Sequence, residues 1–287
     1  MGVVLITGCS SGIGLEAALA FARRGDTVVA SMRNTAKAVR LTERAESEGL
    51  TVDVVAMDVT DDASVAAAVA DVEGRHGAID VLVNNAGVGH SGPVETIDMD
   101  LARSLIETNM WGPVRTTRAV LPKMRERRSG VIINVSSVQG RVPGLGYNGF
   151  YGMSKHALGA LTEALYWELA PFGIRVACIE PGFFATEIFA NSNWGETDDS
   201  SPYGADHAWM SEFYVKSGEA LGADPRGVAD VIVAASADAT TPLHTLVGDD
   251  AFGFVGAVEQ CGTFENWVPV GTQIVEGVAG PRPVAAG

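Results

Sequence analysis

The sequence predicts a doubly wound α/β fold: a parallel β-sheet covered on both faces by helices. Three observations carry that expectation. Short runs rich in valine and isoleucine alternate with longer helical patterns over the first two-thirds of the chain. The runs are continuously apolar, which marks strands buried on both faces, as in parallel sheets. A glycine-rich loop follows the first run and opens the first helix.

In order, a strand is expected at 3–6 and a helix at 13–24, with alanine, leucine and phenylalanine on one face. A strand at 27–31, a helix at 36–48, a strand at 52–57, a helix at 63–76 and a strand at 81–84 follow. After a polar loop at 87–93, residues 101–127 read as helical, with Pro113 placed to kink or interrupt them. A strand at 131–135, a helix at 151–169 and a strand at 174–179 complete the regular part. From Gly182 the pattern degrades, and residues 183–222 mix aromatics with an acidic Gly/Ser/Pro stretch at 195–206. A helix at 225–237 and a last strand at 245–248 are expected beyond it, and the proline-rich tail at 281–287 is expected to fray. With no internal repeat and no long linker, residues 1–287 read as a single domain.

Composition excludes several classes. With 47% hydrophobic and 19% charged residues, the chain can bury a large core. A formal charge of -15 argues against a nucleic-acid or anionic-membrane partner, since phosphate surfaces attract lysine and arginine clusters. The N-terminal apolar run is too short for a signal peptide or membrane span, so a cytoplasmic protein is expected. Cys9, Cys178 and Cys261, like the five histidines, are scattered without ligand spacing, so neither a disulfide framework nor a metal site is expected.

The loop Thr7-Gly8-Cys9-Ser10-Ser11-Gly12-Ile13-Gly14 joins a strand to a helix. Glycines there let the backbone approach a diphosphate, and free N–H groups at the helix start favour an anion. A nucleotide is therefore expected on Gly8, Ser10, Ser11, Gly12, Ile13 and Gly14. Met32-Arg33 ends the second strand, where such folds meet the adenosine ribose. Arg33 suits a 2′-phosphate and Met32 adds no repelling carboxylate, so NADP(H) is preferred, with NAD possible. Asp58, followed by Val59, either accepts from the adenine amino group or caps the following helix. Asn84-Asn85-Ala86-Gly87 lets the backbone pass close to a ribose and places amides in the central sheet. Tyr151 and Lys155, four residues apart on a helix, share a face. The ammonium can stabilise the phenolate, so a hydroxyl titrating near pH ~10 works as acid or base nearer neutrality.

Together, Thr7 to Gly14, Asp58, Asn84 to Gly87, Asn109, Asn134-Val135-Ser136-Ser137, Tyr151/Lys155 and Pro181-Gly182 with Thr186 resemble the compact branch of the short-chain dehydrogenase/reductase family. That resemblance implies a Rossmann fold. The cofactor half is similar to NADP(H)-preferring 17β-hydroxysteroid dehydrogenases and retinol-dehydrogenase-like members. The resemblance implies Tyr151 as general acid/base, Lys155 lowering its pKa and holding the nicotinamide ribose, and Ser137 on the substrate oxygen. Asn109 would fix a water that relays protons through Lys155. Asn85, Ala86, Gly87, Pro181, Gly182 and Thr186 would complete the cofactor site. Ser137 precedes Tyr151 by fourteen positions where the family usually shows thirteen, which leaves Ser136 as a substitute.

The resemblance also assigns substrate choice to a variable lid at 183–222, a substrate-binding insertion near the C-terminus. Val142, Leu145, Tyr147, Phe183, Phe189, Trp209 and Phe213 are candidate pocket residues. No arginine or lysine stands between Arg175 and Lys216, whereas several carboxylates do, so a neutral substrate is expected. The expected reaction is hydride transfer between NADP(H) and a hydrophobic secondary alcohol or ketone, steroid-, retinoid- or terpenoid/aryl-like. A catalytically silent nucleotide sensor and an epimerase or dehydratase using the same Tyr/Lys pair are the alternatives. A homodimer or homotetramer is implied by the resemblance.

Overall fold

The computed structural model describes residues 2–188, 198 and 200–283. Among these described residues, seven strands form one sheet: β1 (Val3–Thr7), β2 (Thr27–Met32), β3 (Asp53–Ala56), β4 (Val81–Asn84), β5 (Gly130–Val135), β6 (Ile174–Pro181) and β7 (His244–Val247). All pairs are parallel, in the order β3-β2-β1-β4-β5-β6-β7. The direction of winding reverses between β1 and β4, which opens a crevice at their carboxyl ends.

Continuous apolarity in the strands serves two cores at once. Val4 and Ile6 of β1 face a core built with helices α1 (Gly12–Arg24), α2 (Val39–Ser47) and α8 (Arg226–Ala237). Val3 and Leu5 face the other core, built with α3 (Asp62–His76), α5 (Gly112–Arg127) and α6 (Gly149–Leu169). Each such buried leucine or isoleucine contributes about 2 kcal/mol.

Two expected helices are interrupted. The stretch expected at 101–127 divides into α4 (Met99–Ile106), a π-helical turn (Glu107–Trp111) and α5. Pro113 enters at the start of α5, where its missing N–H disturbs the hydrogen-bond ladder just upstream. The helix expected at 36–48 begins as a 3₁₀ turn (Thr35–Ala38) before α2. Three further helices were not expected: α7 (Gly204–Leu221), α9 (Asp249–Cys261) and α10 (Phe264–Ala279). Aromatic and aliphatic side chains of α7, α9 and α10 form a third apolar cluster over Tyr151.

A buried polar ladder ties sheet to helices. Asn84 and Asn134 are register partners on β4 and β5, and Asn84 Nδ2 donates to Asn134 Oδ1 at 2.9 Å. Asn134 Nδ2 donates to Thr162 Oγ1 on α6 at 2.9 Å, and Thr116 Oγ1 on α5 donates to Asn84 Oδ1 at 2.6 Å. At the β7 edge, His244 pairs in register with Cys178, and Glu180 lies two residues along the same strand. The pairing gathers a cysteine, a glutamate and a histidine that the sequence read as scattered, with their ligand-type atoms within 4.8 Å of one another. His244 Nδ1 lies 2.8 Å from Glu180 Oε1 and Nε2 lies 3.0 Å from Glu163 Oε1, which pins the edge strand to β6 and α6. No helix among the described residues is long and apolar enough to cross a membrane.

Candidate active site

Helix α6 starts at Gly149, so Tyr151 and Lys155 stand one turn apart in its first turns, and both are buried. Lys155 Nζ donates to the Val135 carbonyl at 3.2 Å and lies 5.6 Å from the centre of the Tyr151 ring. The end of β5 delivers the two serines, and the structure separates their roles. Ser136 Oγ donates to the Lys155 carbonyl at 3.2 Å and anchors the helix backbone. Ser137 hydrogen-bonds the Tyr151 phenol, and its Oγ also accepts from Gln139 N–H at 3.2 Å.

Asn109 rides on the π-helical turn and is fully buried behind this pair. Its Oδ1 accepts from Val88 N–H at 2.9 Å, while Nδ2 donates to Val88 O at 2.8 Å and Ser154 Oγ at 3.1 Å. The turn therefore holds α4, α6 and the strand-end loop in one arrangement.

Burial moves the two titrating groups in opposite directions. The Tyr151 phenol is pushed up to about 12 by loss of solvent, with the Ser137 hydrogen bond pulling it down. Lys155 is pushed down to about 8, again by burial, with Cys178 acting weakly the other way. The sequence led us to expect a phenol drawn toward neutrality by the ammonium. In the protein, desolvation is the larger influence on the phenol and the Ser137 hydrogen bond opposes it, while burial also weakens the ammonium.

The glycine loop is a cradle without room for side chains. Gly8 and Gly12 have φ of +74° and +56°, and a Cβ on Gly8 would stand 2.8 Å from Ala86 Cα. Thr7 Oγ1 accepts from Asn85 N–H at 3.0 Å and Ala86 N–H at 2.9 Å, and Asn85 Nδ2 donates to Thr7 O at 2.8 Å. The ends of β1 and β4 are thereby fixed side by side. Ser11, the N-cap of α1, makes no side-chain cap bond, so the first N–H groups of α1 remain available to an anion. From this loop a cavity of about 410 Å³ extends past Tyr151 to Phe254 and Trp267. Arg33 and Lys37 line one end, as do Asp58 and Val59. The cradle, the uncapped helix start and the two cations fit a dinucleotide carrying phosphates.

A family model described as short chain dehydrogenase matches residues 2–197, more than half of the chain. The chain belongs to the short-chain dehydrogenase family. Retinol dehydrogenase 8 of Bos taurus is 40% identical over 252 residues, covering 84% of this chain and 80% of that protein. The crystal structure of a short-chain dehydrogenase from Streptomyces avermitilis superposes with a TM-score of 0.81 at 35% identity, covering 94% of this chain and 97% of that one. A gluconate 5-dehydrogenase from Burkholderia cenocepacia, in complex with NADP and tartrate, gives a TM-score of 0.71 at 28% identity, covering 88% and 95%. This short-chain dehydrogenase is thus a nicotinamide-dependent oxidoreductase of a small molecule.

Several site residues expected from the sequence of this dehydrogenase line the cavity and others do not. Gly8, Ser10, Ser11, Gly12, Ile13 and Arg33 line it, as do Asn85, Ala86, Gly87, Pro181, Gly182 and Thr186. Gly14 stands behind the loop, where a Cβ would meet Asn85 Nδ2 at 2.4 Å and Gly8 O at 2.5 Å. Asp58 Oδ1 accepts from Thr60 N–H and Oγ1, at 2.9 and 2.8 Å, whereas Asp61 caps α3, so the capping alternative belongs to Asp61. Val142, Leu145, Phe183 and Phe213 line the apolar end. Tyr147 and Trp209 are corrections, since neither reaches the cavity. Tyr147 OH donates to Asp206 Oδ2 at 2.8 Å and its ring stacks on His207. The Trp209 indole N–H donates to Gly280 O at 2.8 Å. Phe189 lies outside the described residues. Missed by the sequence reading were Lys37, Gln139, Tyr214, Phe254 and Trp267. Lys37 stands four residues after Arg33, on the 3₁₀ turn, and was legible as a second cation; the aromatics were not, because their helices were not expected.

Proposed function

We propose that this enzyme reduces a neutral, hydrophobic ketone to a secondary alcohol with NADPH, and catalyses the reverse oxidation with NADP⁺. The observation that carries this reading is Tyr151, bonded to Ser137, at the junction between the phosphate-type cradle and an apolar pocket. When bound, the reduced nicotinamide supplies the hydride. Tyr151 gives its proton to the carbonyl oxygen as the alkoxide forms, and Ser137 donates a hydrogen bond to that oxygen. Lys155 holds positive charge beside the phenol, and Asn109 positions a water for reprotonation. The phenol, kept protonated by burial, is the form that reduction needs.

Preference for NADP(H) over NAD(H) is supported by Arg33 and Lys37 at the adenosine end and by Met32 in place of a carboxylate. The 183–222 segment acts as the substrate lid within a single domain spanning 1–287, and the protein works in the cytoplasm as a homo-oligomer. A screen of neutral ketones and secondary alcohols against all four nicotinamide cofactors tests the whole reading. Net NADPH consumption is expected; none with any ketone would favour a sensor, and cofactor regeneration an epimerase. Arg33→Asp is expected to reverse the NADP(H)/NAD(H) ratio of kcat/KM, and an unchanged ratio would remove Arg33 from the argument.

A further inference from the structure

The loop between Ser137 and the start of α6 carries part of the substrate wall on a loose backbone. Gly144 and Gly146 are exposed, and a Cβ on either would meet nothing within 4 Å. Yet Val142 and Leu145 of this loop line the apolar end of the cavity, and α6 with Tyr151 begins just beyond it. Tyr147 is where the loop is held. Its φ is +63°, a left-handed conformation that a bulky residue keeps only where its surroundings impose it. Three contacts do so. Gly92 N–H donates to the Tyr147 carbonyl at 2.7 Å, the ring stacks on His207 of α7, and the hydroxyl donates to Asp206 Oδ2 at 2.8 Å.

Asp206 is in turn fixed from the far end of the chain. Arg282 donates through Nε to Oδ1 and through Nη2 to Oδ2, each at 2.7 Å, a two-pronged geometry that orients a carboxylate. The guanidinium lies 5.6 Å from the Trp209 ring centre, and the Trp209 indole N–H donates to Gly280 O, so the strap 280–282 is seated on α7. Arg282 holds the Asp206 carboxyl below its usual range, and the Tyr147 phenol, pushed up to about 12 by burial and then by Asp206, stays a donor. Arg282 itself does not line the cavity.

Resting on the ketone-reductase reading above, we propose that Arg282 is a positioning residue for the substrate: by orienting Asp206 it anchors Tyr147, and through Tyr147 the Val142 and Leu145 wall against which a bulky ketone packs. Leu145 also meets α10, where a Cβ on Gly271 would stand 3.0 Å from its Cδ2. A small ketone that reaches only Tyr151 and Ser137 makes little use of this wall, whereas one that fills the pocket needs it in place. The cofactor cradle is fixed by its own hydrogen bonds between β1 and β4 and lies outside this chain of contacts.

The test compares cyclohexanone with 4-phenylcyclohexanone, using NADPH and wild type, Arg282→Gln, Arg282→Lys, Tyr147→Phe and the Arg282→Gln/Tyr147→Phe double variant. Arg282→Gln is expected to raise KM of the phenyl ketone about five-fold, the scale of one partly exposed ion pair, with KM of cyclohexanone and NADPH affinity within about two-fold. Arg282→Lys keeps the charge without the fork and should restore only part of the difference. Tyr147→Phe should reproduce the effect, and the double variant should be no worse than the single ones, since both remove one link. Effects that multiply in the double variant, an equal rise for both ketones and NADPH, or an unchanged KM ratio overturn the inference and leave the reductase reading standing. Hydrogen exchange gives a reading that needs no turnover: residues 140–148 should exchange faster in Arg282→Gln while 7–14 do not, and unchanged exchange at 140–148 also overturns it. If wild type consumes no NADPH with either ketone, the reductase reading falls for these ketones, and the exchange result alone decides whether Arg282 holds the wall.

Discussion

Tyr151 and Lys155 share one dry environment, and that environment penalises both of their charged forms. With Tyr151 near 12 and Lys155 near 8, the pair holds a phenol and an ammonium together only below pH about 8. Reduction needs the phenol as acid and the ammonium beside it. Its kcat/KM should therefore be level at neutral pH and fall as pH rises through about 8, where Lys155 loses its proton. Oxidation needs the phenolate, so its rate should climb on the alkaline side. Paired pH–rate profiles check the sign: reduction that climbs through pH 8 contradicts this assignment. Tyr151→Phe should lower kcat/KM by about 10²–10⁴-fold. Spacing on a helix was enough to find this pair, but no spacing reveals a desolvation penalty, which depends on what packs around the ring. Tyr147 and Trp209 failed as pocket residues for a related reason. Aromaticity in the sequence says a side chain needs cover, and Asp206, His207 and the Gly280 carbonyl supply it outside the cavity.

The turns and helices divide by how strongly local signals bind them. Strands β1 to β6 and the glycine loop were readable because continuous apolar runs and glycine punctuation state their structure locally. Helices α9 and α10 were not readable: Gly253, Gly256, Pro269, Gly271 and Gly277 speak against a helix, and packing overrides them. Their loss from the sequence reading hid Phe254 and Trp267. Glycines themselves give a test at this scale. Gly14→Ala drives a methyl against Gly8 O, a backbone atom that cannot swing aside, so stability should fall by about 1–3 kcal/mol and NADPH affinity should weaken. Gly74 lies inside α3 with ordinary φ, and its Cβ would meet nothing within 4 Å. Gly74→Ala should instead stabilise by about 0.4–1 kcal/mol. Thermal melts and NADPH titrations of the two variants decide both statements.

Over the whole molecule, charge and apolar exposure are unevenly spread. A formal charge of -15 keeps copies apart at long range, yet α6 presents Trp167 at 78% exposure and Met153 at 50%. These two lie fourteen residues apart, on nearly the same helix face. Trp111, at the joint that packs on α6, is exposed as well. Such a face suits association with a second copy once salt screens the repulsion. Trp167→Glu should shift sedimentation toward the monomer, and an unchanged sedimentation coefficient would place the interface elsewhere. The acidic balance was plain from composition, while the exposed apolar face needed the three-dimensional arrangement of α4, α5 and α6.

The asparagine ladder across β4 and β5 has a consequence for how the chain reaches this state. Parallel strands meet only after long crossovers, so pairing is slow and errors of register are the natural hazard. A slip of one residue turns Asn134 to the opposite face and leaves the amides of Asn84 and Asn134 facing apolar neighbours. Each unmet group then costs about 1–3 kcal/mol, a large fraction of a typical domain's net stability. The ladder therefore acts as a proofreader of folding. A misregistered molecule, with its serines displaced from the tyrosine, is also one that does not persist.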